Sequence, residues 1–206
     1  MYLSQIVFDL RDRRAMRVLS DICRLHEFVM SGFAKHVQPG RVLFRLEPET
    51  RGNGARLLVQ SLVRPEWGNG RNETGKGALR IDTKEFTPQF PEGRHYIFRL
   101  RANPVVARDG KRYGLIRDEA LAAWLKRKEE GAGVLLGSFI AIDEGYVTGI
   151  RKRAKGVDRI NIKTARFEGI LKIMDPPRFG SALAAGVGPA KGFGCGLLSL
   201  SRRILD

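Results

Sequence analysis

The order of the first elements constrains this chain most. Residues 2–10 carry Leu3, Ile6 and Phe8 in a run of high β-propensity and read as a strand. Basic residues 11–17 follow as a connection. Ser20 and Asp21 are N-cap candidates for a helix that reaches about Phe33. At about 100° per residue, Ile22, Leu25, Val29 and Phe33 fall on one face of it. Strands are expected at 42–47 and 56–63, separated by a turn-rich stretch at 50–54. Residues 64–77, rich in Gly and Pro, read as loop, and 78–83 as a further strand. Strand, helix, two strands, loop and strand is the order of a ferredoxin-like unit with one weak helix.

The short, turn-forming stretch 90–93 is the best linker, and it divides the chain into domains at 1–90 and 94–206. Beyond it, 94–102 alternates charged and apolar residues as a half-exposed strand does. A helix is expected at 118–130, with Ala122, Trp124 and Leu125 inward. Lys126, Arg127 and Lys128 sit near its C-terminal end, where the helix dipole favours cations. Strands are expected at 134–142, 146–150 and 160–174. Asp175-Pro176-Pro177 marks a helix start, an acidic cap followed by proline in the first turn, and that helix ends at Gly186. A Gly-rich loop then enters a last strand at 196–200. The second half therefore reads as another strand-and-helix sheet of similar design, and the fold class as α+β.

Charge narrows the partner. Thirty-seven Lys and Arg against 22 Asp and Glu leave a formal charge of +15 on 206 residues. Such a field draws polyanions and speeds their capture, which favours nucleic acid over an anionic membrane surface. No apolar run approaches the roughly 20 residues of a membrane span. The first residues carry no signal-peptide pattern. Cys23 and Cys195 are too few for a disulfide framework or a zinc site. A cytoplasmic protein without metal or cofactor is expected.

Three features carry chemistry. Arg151, Lys152, Arg153 and Lys155, with Arg159, Lys163 and Arg166 beyond, lie between Gly149 and Gly156 or shortly after, at what reads as a hairpin tip. Charge runs are usually solvated turns. Cations this dense repel one another, however, and a phosphate strand relieves that; a basic two-stranded ribbon also reaches phosphates of an A-form stem. The second feature is Gly186-Val187-Gly188-Pro189-Ala190-Lys191-Gly192-Phe193-Gly194-Cys195-Gly196. It lacks both the P-loop and the dinucleotide spacing. Its amides, Gly186, Gly188 and Gly192 among them, could cradle a phosphate with Lys191 adding charge, or the segment is a tight connection under the sheet. The third is His26, one of three histidines with His36 and His95. A lone His is more often structural than catalytic, but His26 sits on the shoulder of the helix's apolar face, with Cys23 three residues earlier on the same side.

Several blocks together resemble one family: MYLSQIVFDL at the start, Arg24-Leu25-His26, FRLRANP at 98–104, AWLKRK at 123–128, FEGIL at 167–171 and GVGPAKGFGCGLLSL at 186–200. In this order, over nearly the whole chain, they are similar to the CasE family, the CRISPR precursor-RNA endoribonucleases of type I-E Cascade. The resemblance implies two tandem ferredoxin-like (RRM-like) domains, each an antiparallel sheet with helices on one face. It implies binding of the repeat stem-loop and one metal-independent cut at the base of the stem, leaving 2′,3′-cyclic phosphate and 5′-hydroxyl ends. The product stays bound within a Cascade complex. The family's active-site histidine falls on His26, its basic hairpin on Arg151, Lys152, Arg153 and Lys155, and its Gly-rich loop on 186–196.

Two positions depart from the family. Many relatives carry tyrosine where Cys23 stands, and some carry a basic residue where Glu27 stands. A thiol is shorter than a phenol and more acidic, about 8.5 against about 10, so Cys23 does not simply inherit the tyrosine's catalytic role. Glu27 either raises the pKa of His26 or faces solvent. The alternative to an enzyme is a non-catalytic RNA-binding scaffold subunit of the same complex, which has no need of His26. A basic ribosome-associated protein fits less well, because its blocks would not follow this order.

Overall fold

Ser4, Ile6 and Phe8 of β1 (Tyr2–Asp9) share a face and are buried, the two-residue period of a strand covered on one side. In this computed structural model, which describes residues 1–48, 54–67, 78–154 and 156–204, β1 lies inside a four-stranded antiparallel sheet. Its order is β2 (Leu43–Pro48), β3 (Gly54–Ser61), β1, β4 (Ala78–Glu85). Register runs from Tyr2 opposite Ser61 to Asp9 opposite Gly54, and Ile6 faces Ile81 across the other edge of β1.

Two helices pack on this sheet. The basic stretch expected as a connection forms α1 (Arg13–Leu19). Its arginines mask a helical pattern in which Ala15 is buried while Val18 and Leu19 pack against the core. The Asp12 carboxylate caps it, accepting from Arg14 N–H at 2.7 Å. The second helix, α2 (Ile22–Met30), stops one turn before the expected end at Phe33. Gly32 lies flat under Trp67, where a Cβ would sit 2.5 Å from the indole. Leu25, Phe28 and Val29 of α2 join Ile6, Phe8, Phe44 and Trp67 in one core.

The chain divides into two compact units. The first comprises Met1–Thr87 with Val147–Asn161 and Gly192–Gly194; the second comprises Pro88–Tyr146, Ile162–Lys191 and Cys195–Asp206. The second sheet has the order β10 (Leu198–Ile204), β5 (His95–Ala102), β9 (Gly156–Ile173), β8 (Val134–Arg153). Between β5 and β8 come a small hairpin, β6 (Val105–Arg108) with β7 (Lys111–Gly114), and helices α3 (Asp118–Lys126) and α4 (Glu129–Ala132); α5 (Pro176–Ala185) links β9 to β10. Each sheet thus places its first strand between its third and fourth. That is the ferredoxin-like order, and the α+β tandem architecture expected from the sequence is present.

Three local expectations change. The single helix at 118–130 is two, with Gly133 at φ 64° closing the second. Its missing Cβ would stand 2.6 Å from the Asp175 carbonyl. The strands at 134–142 and 146–150 are one 20-residue strand, in which Gly145 at φ 74° absorbs the irregularity. The β6–β7 hairpin, turned by Asp109-Gly110 with φ of 49° and 72°, was not foreseen, although Asp-Gly between apolar residues is its usual signature.

One buried polar relay ties the first sheet to its loop. Trp67 Nε1–H donates to Ser4 Oγ at 3.0 Å, and Ser4 Oγ lies 2.9 Å from Thr83 Oγ1. Ser4→Ala strands the indole N–H in the core, so urea unfolding should show a loss of about 1–3 kcal/mol. A loss near zero would mean that the indole finds another acceptor.

Candidate active site and nucleic-acid interface

The start of α2 organises the site. Asp21 is its N-cap: Oδ1 accepts from Cys23 N–H at 2.8 Å and Arg24 N–H at 3.2 Å. Its other oxygen, Oδ2, accepts from the backbone N–H of Ile150 in β8 at 3.0 Å. Next to Ile150, Gly149 is buried against the helix. A Cβ there would lie 2.8 Å from Ile22 Cγ1 and 2.9 Å from both Asp21 Oδ1 and Cys23 Sγ. Glycine is therefore required for the strand backbone to come this close.

That approach delivers Arg151. Its guanidinium carbon stands 5.8 Å from the centre of the Phe193 ring, a cation–π distance. The Phe193 ring in turn lies 6.2 Å from the His26 imidazole. Gly192 borders the imidazole, since a Cβ on it would meet Nδ1 and Cε1 at 3.7 Å. Nδ1 is buried and makes no hydrogen bond of ordinary geometry. Burial holds the His26 pKa below its ordinary 6.5. The nearby Gly192 backbone opposes this, Arg151 lowers the pKa further, and Glu27 works weakly upward. Of the two readings of Glu27, both hold in part: it faces solvent and still pulls the imidazole upward.

Cys23 is 6% exposed, with its sulfur packed under Gly149. Burial raises its pKa, Asp21 adds to that, and Arg151 beside it works the other way. The thiol therefore stays protonated near neutral pH. Cys195 is buried in the second unit, its pKa pushed up to about 12 by burial. His36 and His95 are on the surface.

The structure gathers His26, Cys23, Arg151 and Gly192 in the first unit. Lys152 and Arg153 are exposed, Arg153 paired with Asp158, and Lys155 lies outside the described residues. Lys163 and Arg166, read from the sequence as extensions of the basic cluster, are not part of it. They belong to the second unit, where Lys163 Nζ is 2.6 Å from Asp143 Oδ1 and only 5% exposed. Arg166 is held by Glu168 at 3.0 Å and Glu144 at 3.3 Å. Carboxylates on the second sheet hold both cations.

Gly186 caps α5 with φ 76°, and Gly188, at φ 81°, leaves a Cβ position 2.9 Å from the Trp124 indole. Lys191 opens a 3-10 turn, Lys191–Phe193. Among the described residues no three His, Cys, Asp or Glu side chains gather as a metal site, and no helix is long and apolar enough to cross a membrane.

A model of the CRISPR associated protein family matches residues 1–202. The chain belongs to the CasE family. It is 32% identical to the CRISPR-associated endoribonuclease Cse3 of Thermus thermophilus, over 98% of this chain and 100% of that one. It is also 32% identical to the CRISPR system Cascade subunit CasE of Escherichia coli, over 98% and 99%. A solved structure of the CRISPR endoribonuclease Cse3 bound to a 19-nucleotide RNA superposes with a TM-score of 0.84 at 30% identity, covering 98% of this chain and all of that one.

Sequence reasoning missed Asp21 as more than a cap, Gly149 as a contact, and Phe193 as the partner of both His26 and Arg151. Phe193 had a signal, as the one aromatic within the Gly-rich segment. The second bond of Asp21 had none, because it joins residues 129 apart in the chain.

These surroundings fix how His26 titrates. The ring is neutral at pH 7 and takes its proton only as the pH falls below 6.5. An NMR titration of the free protein should place the His26 midpoint below 6.5. A midpoint above 6.5 would contradict the burial-dominated environment.

Proposed function

We propose that this chain is a metal-independent endoribonuclease. It binds a CRISPR repeat stem-loop, cleaves precursor CRISPR RNA at the base of the stem, and stays with the product in a Cascade complex in the cytoplasm. The observation that carries the reading is a half-buried, neutral imidazole set beside an exposed arginine on a basic strand. Family membership and the RNA-bound neighbour support the substrate class.

In the reaction, neutral His26 removes the proton from the 2′-hydroxyl upstream of the scissile phosphate. With Nδ1 enclosed by protein, Nε2 is the nitrogen left to accept it. The 2′-oxygen attacks phosphorus, the bond to the 5′-oxygen breaks, and the departing oxygen takes a proton from imidazolium or water. A 2′,3′-cyclic phosphate and a 5′-hydroxyl result. Arg151 offsets the negative charge that builds on the phosphoryl oxygens. Lys152, Arg153 and Lys155 clamp the stem and fix the in-line geometry. In the Gly-rich loop, Gly192 brings backbone close to the reacting nucleotide, while Gly186, Gly188 and Lys191 hold the loop against the RNA strand.

Cys23 contributes by seating Arg151 and not as a proton donor equivalent to tyrosine, because its thiol is packed under Gly149 and only 6% exposed. The domains run 1–90, with the histidine helix, and 94–206, and the hairpin tip and Gly192–Gly194 of the latter stretch of sequence pack in the unit that holds the histidine helix.

His26→Ala should lower single-turnover cleavage of a repeat hairpin by at least about 10²-fold, the low end for losing a general acid or base. Affinity for the hairpin should hardly change, since one neutral ring adds little to many phosphate contacts. Full cleavage by purified His26→Ala would leave the RNA-binding scaffold as the better description.

A further inference from the structure

The second oxygen of Asp21 has no task in capping. One carboxylate oxygen already accepts both free N–H groups at the start of α2, from Cys23 and Arg24. A serine or asparagine would serve as well for that purpose. Oδ2 instead reaches 129 residues along the chain to Ile150 N–H, the residue just before Arg151. Ile150 and Arg151 are exposed, whereas Gly149 is buried against Asp21, Ile22 and Cys23. The strand thus meets the helix at Gly149 and Ile150, immediately before its first cation.

We propose that Asp21 is a positioning residue: its two oxygens fasten β8 to the first turn of α2 and so set Arg151 beside His26. The proposal rests on the nuclease reading, since it assigns that residue's role in the same reaction. It also explains the cysteine. A small side chain at position 23 lets Gly149 settle onto the helix, where a bulkier one on the same trajectory would meet the β8 backbone.

Two variants separate this role from simple capping. Asp21→Asn keeps one oxygen for the helix N–H groups but turns an amide N–H₂ toward Ile150 N–H, so donor faces donor. Gly149→Ala keeps every charge and pushes the strand and the start of α2 apart by steric contact, its Cβ meeting Ile22 Cγ1, the capping oxygen of Asp21 and Cys23 Sγ. Near-UV circular dichroism identifies the variants that keep the native fold.

The first readout is single-turnover cleavage. Both variants should cut at least about 10-fold more slowly than wild type, with hairpin affinity within about 3-fold, because the other basic residues still reach the phosphates. The second readout needs no cleavage: the His26 midpoint by NMR in free protein. The groups acting on His26 are Arg151 on β8, Glu27 on its own helix and the Gly192 backbone, with the Phe193 ring of the 3-10 turn beside it. Withdrawal of Arg151 removes a cation, so the midpoint should rise in both variants. Deleting the Asp21 charge without moving the strand would push it the other way, if at all, which makes the sign decisive.

Unchanged rate and unchanged His26 midpoint in folded Asp21→Asn and Gly149→Ala would overturn the positioning role. If wild type cut no RNA while the midpoint still rose in both variants, the fastening would stand and the nuclease reading would fall.

Discussion

The backbone of β8 rests on the first turn of α2 because residue 149 has no Cβ. Three heavy atoms, from Ile22, Asp21 and Cys23, stand within 2.9 Å of where one would be. Everything chemical in the first unit follows from that contact. It brings Ile150 N–H to the free oxygen of Asp21, presses the Cys23 thiol into a buried, protonated state and starts the exposed basic run at Arg151. The Phe193 ring then lies within reach of both the guanidinium and the imidazole.

Burial decides which basic groups remain for a polyanion. Lys163 and Arg166 have the same chemistry as Arg151 and Arg159, yet they are taken up by Asp143, Glu144 and Glu168 on the second sheet. Arg101 joins that network through Glu144 at 2.6 Å. Ion pairs of this kind between half-buried partners hold the sheet face in one arrangement, and their worth in stability is modest. Desolvation lowers the pKa of His26, where it would raise that of a carboxylate, and so favours the neutral form that a general base needs.

The two four-stranded sheets were legible because period-2 alternation in residues 2–10 and 94–102 is a local property. The N-cap of α5 was equally plain, with Asp175 accepting from Arg178 N–H at 3.0 Å as its Asp-Pro-Pro sequence implies. Helix α1 was hidden by composition: three arginines in its seven residues outweighed the spacing of Ala15, Val18 and Leu19. His26 and the basic cluster could be picked out by residue type, but their meeting could not. Contacts such as Asp21 with Ile150 or His26 with Phe193 depend on how a distant strand and loop return to one helix, and no spacing in the chain records that. Lys163 and Arg166 show the converse, since a run of cations in sequence does not reveal which of them face acids.

The most direct measurement is the chemistry of the cut ends. A labelled repeat hairpin is incubated with the purified chain in EDTA, beside the same hairpin carrying a 2′-deoxy nucleotide just upstream of the scissile phosphate. The expected result is one cut at the base of the stem, with a 2′,3′-cyclic phosphate on one fragment and a 5′-hydroxyl on the other, and no cut in the deoxy substrate. Cleavage of the deoxy substrate, or fragments ending in 3′-hydroxyl and 5′-phosphate, would contradict a mechanism in which His26 activates the 2′-hydroxyl.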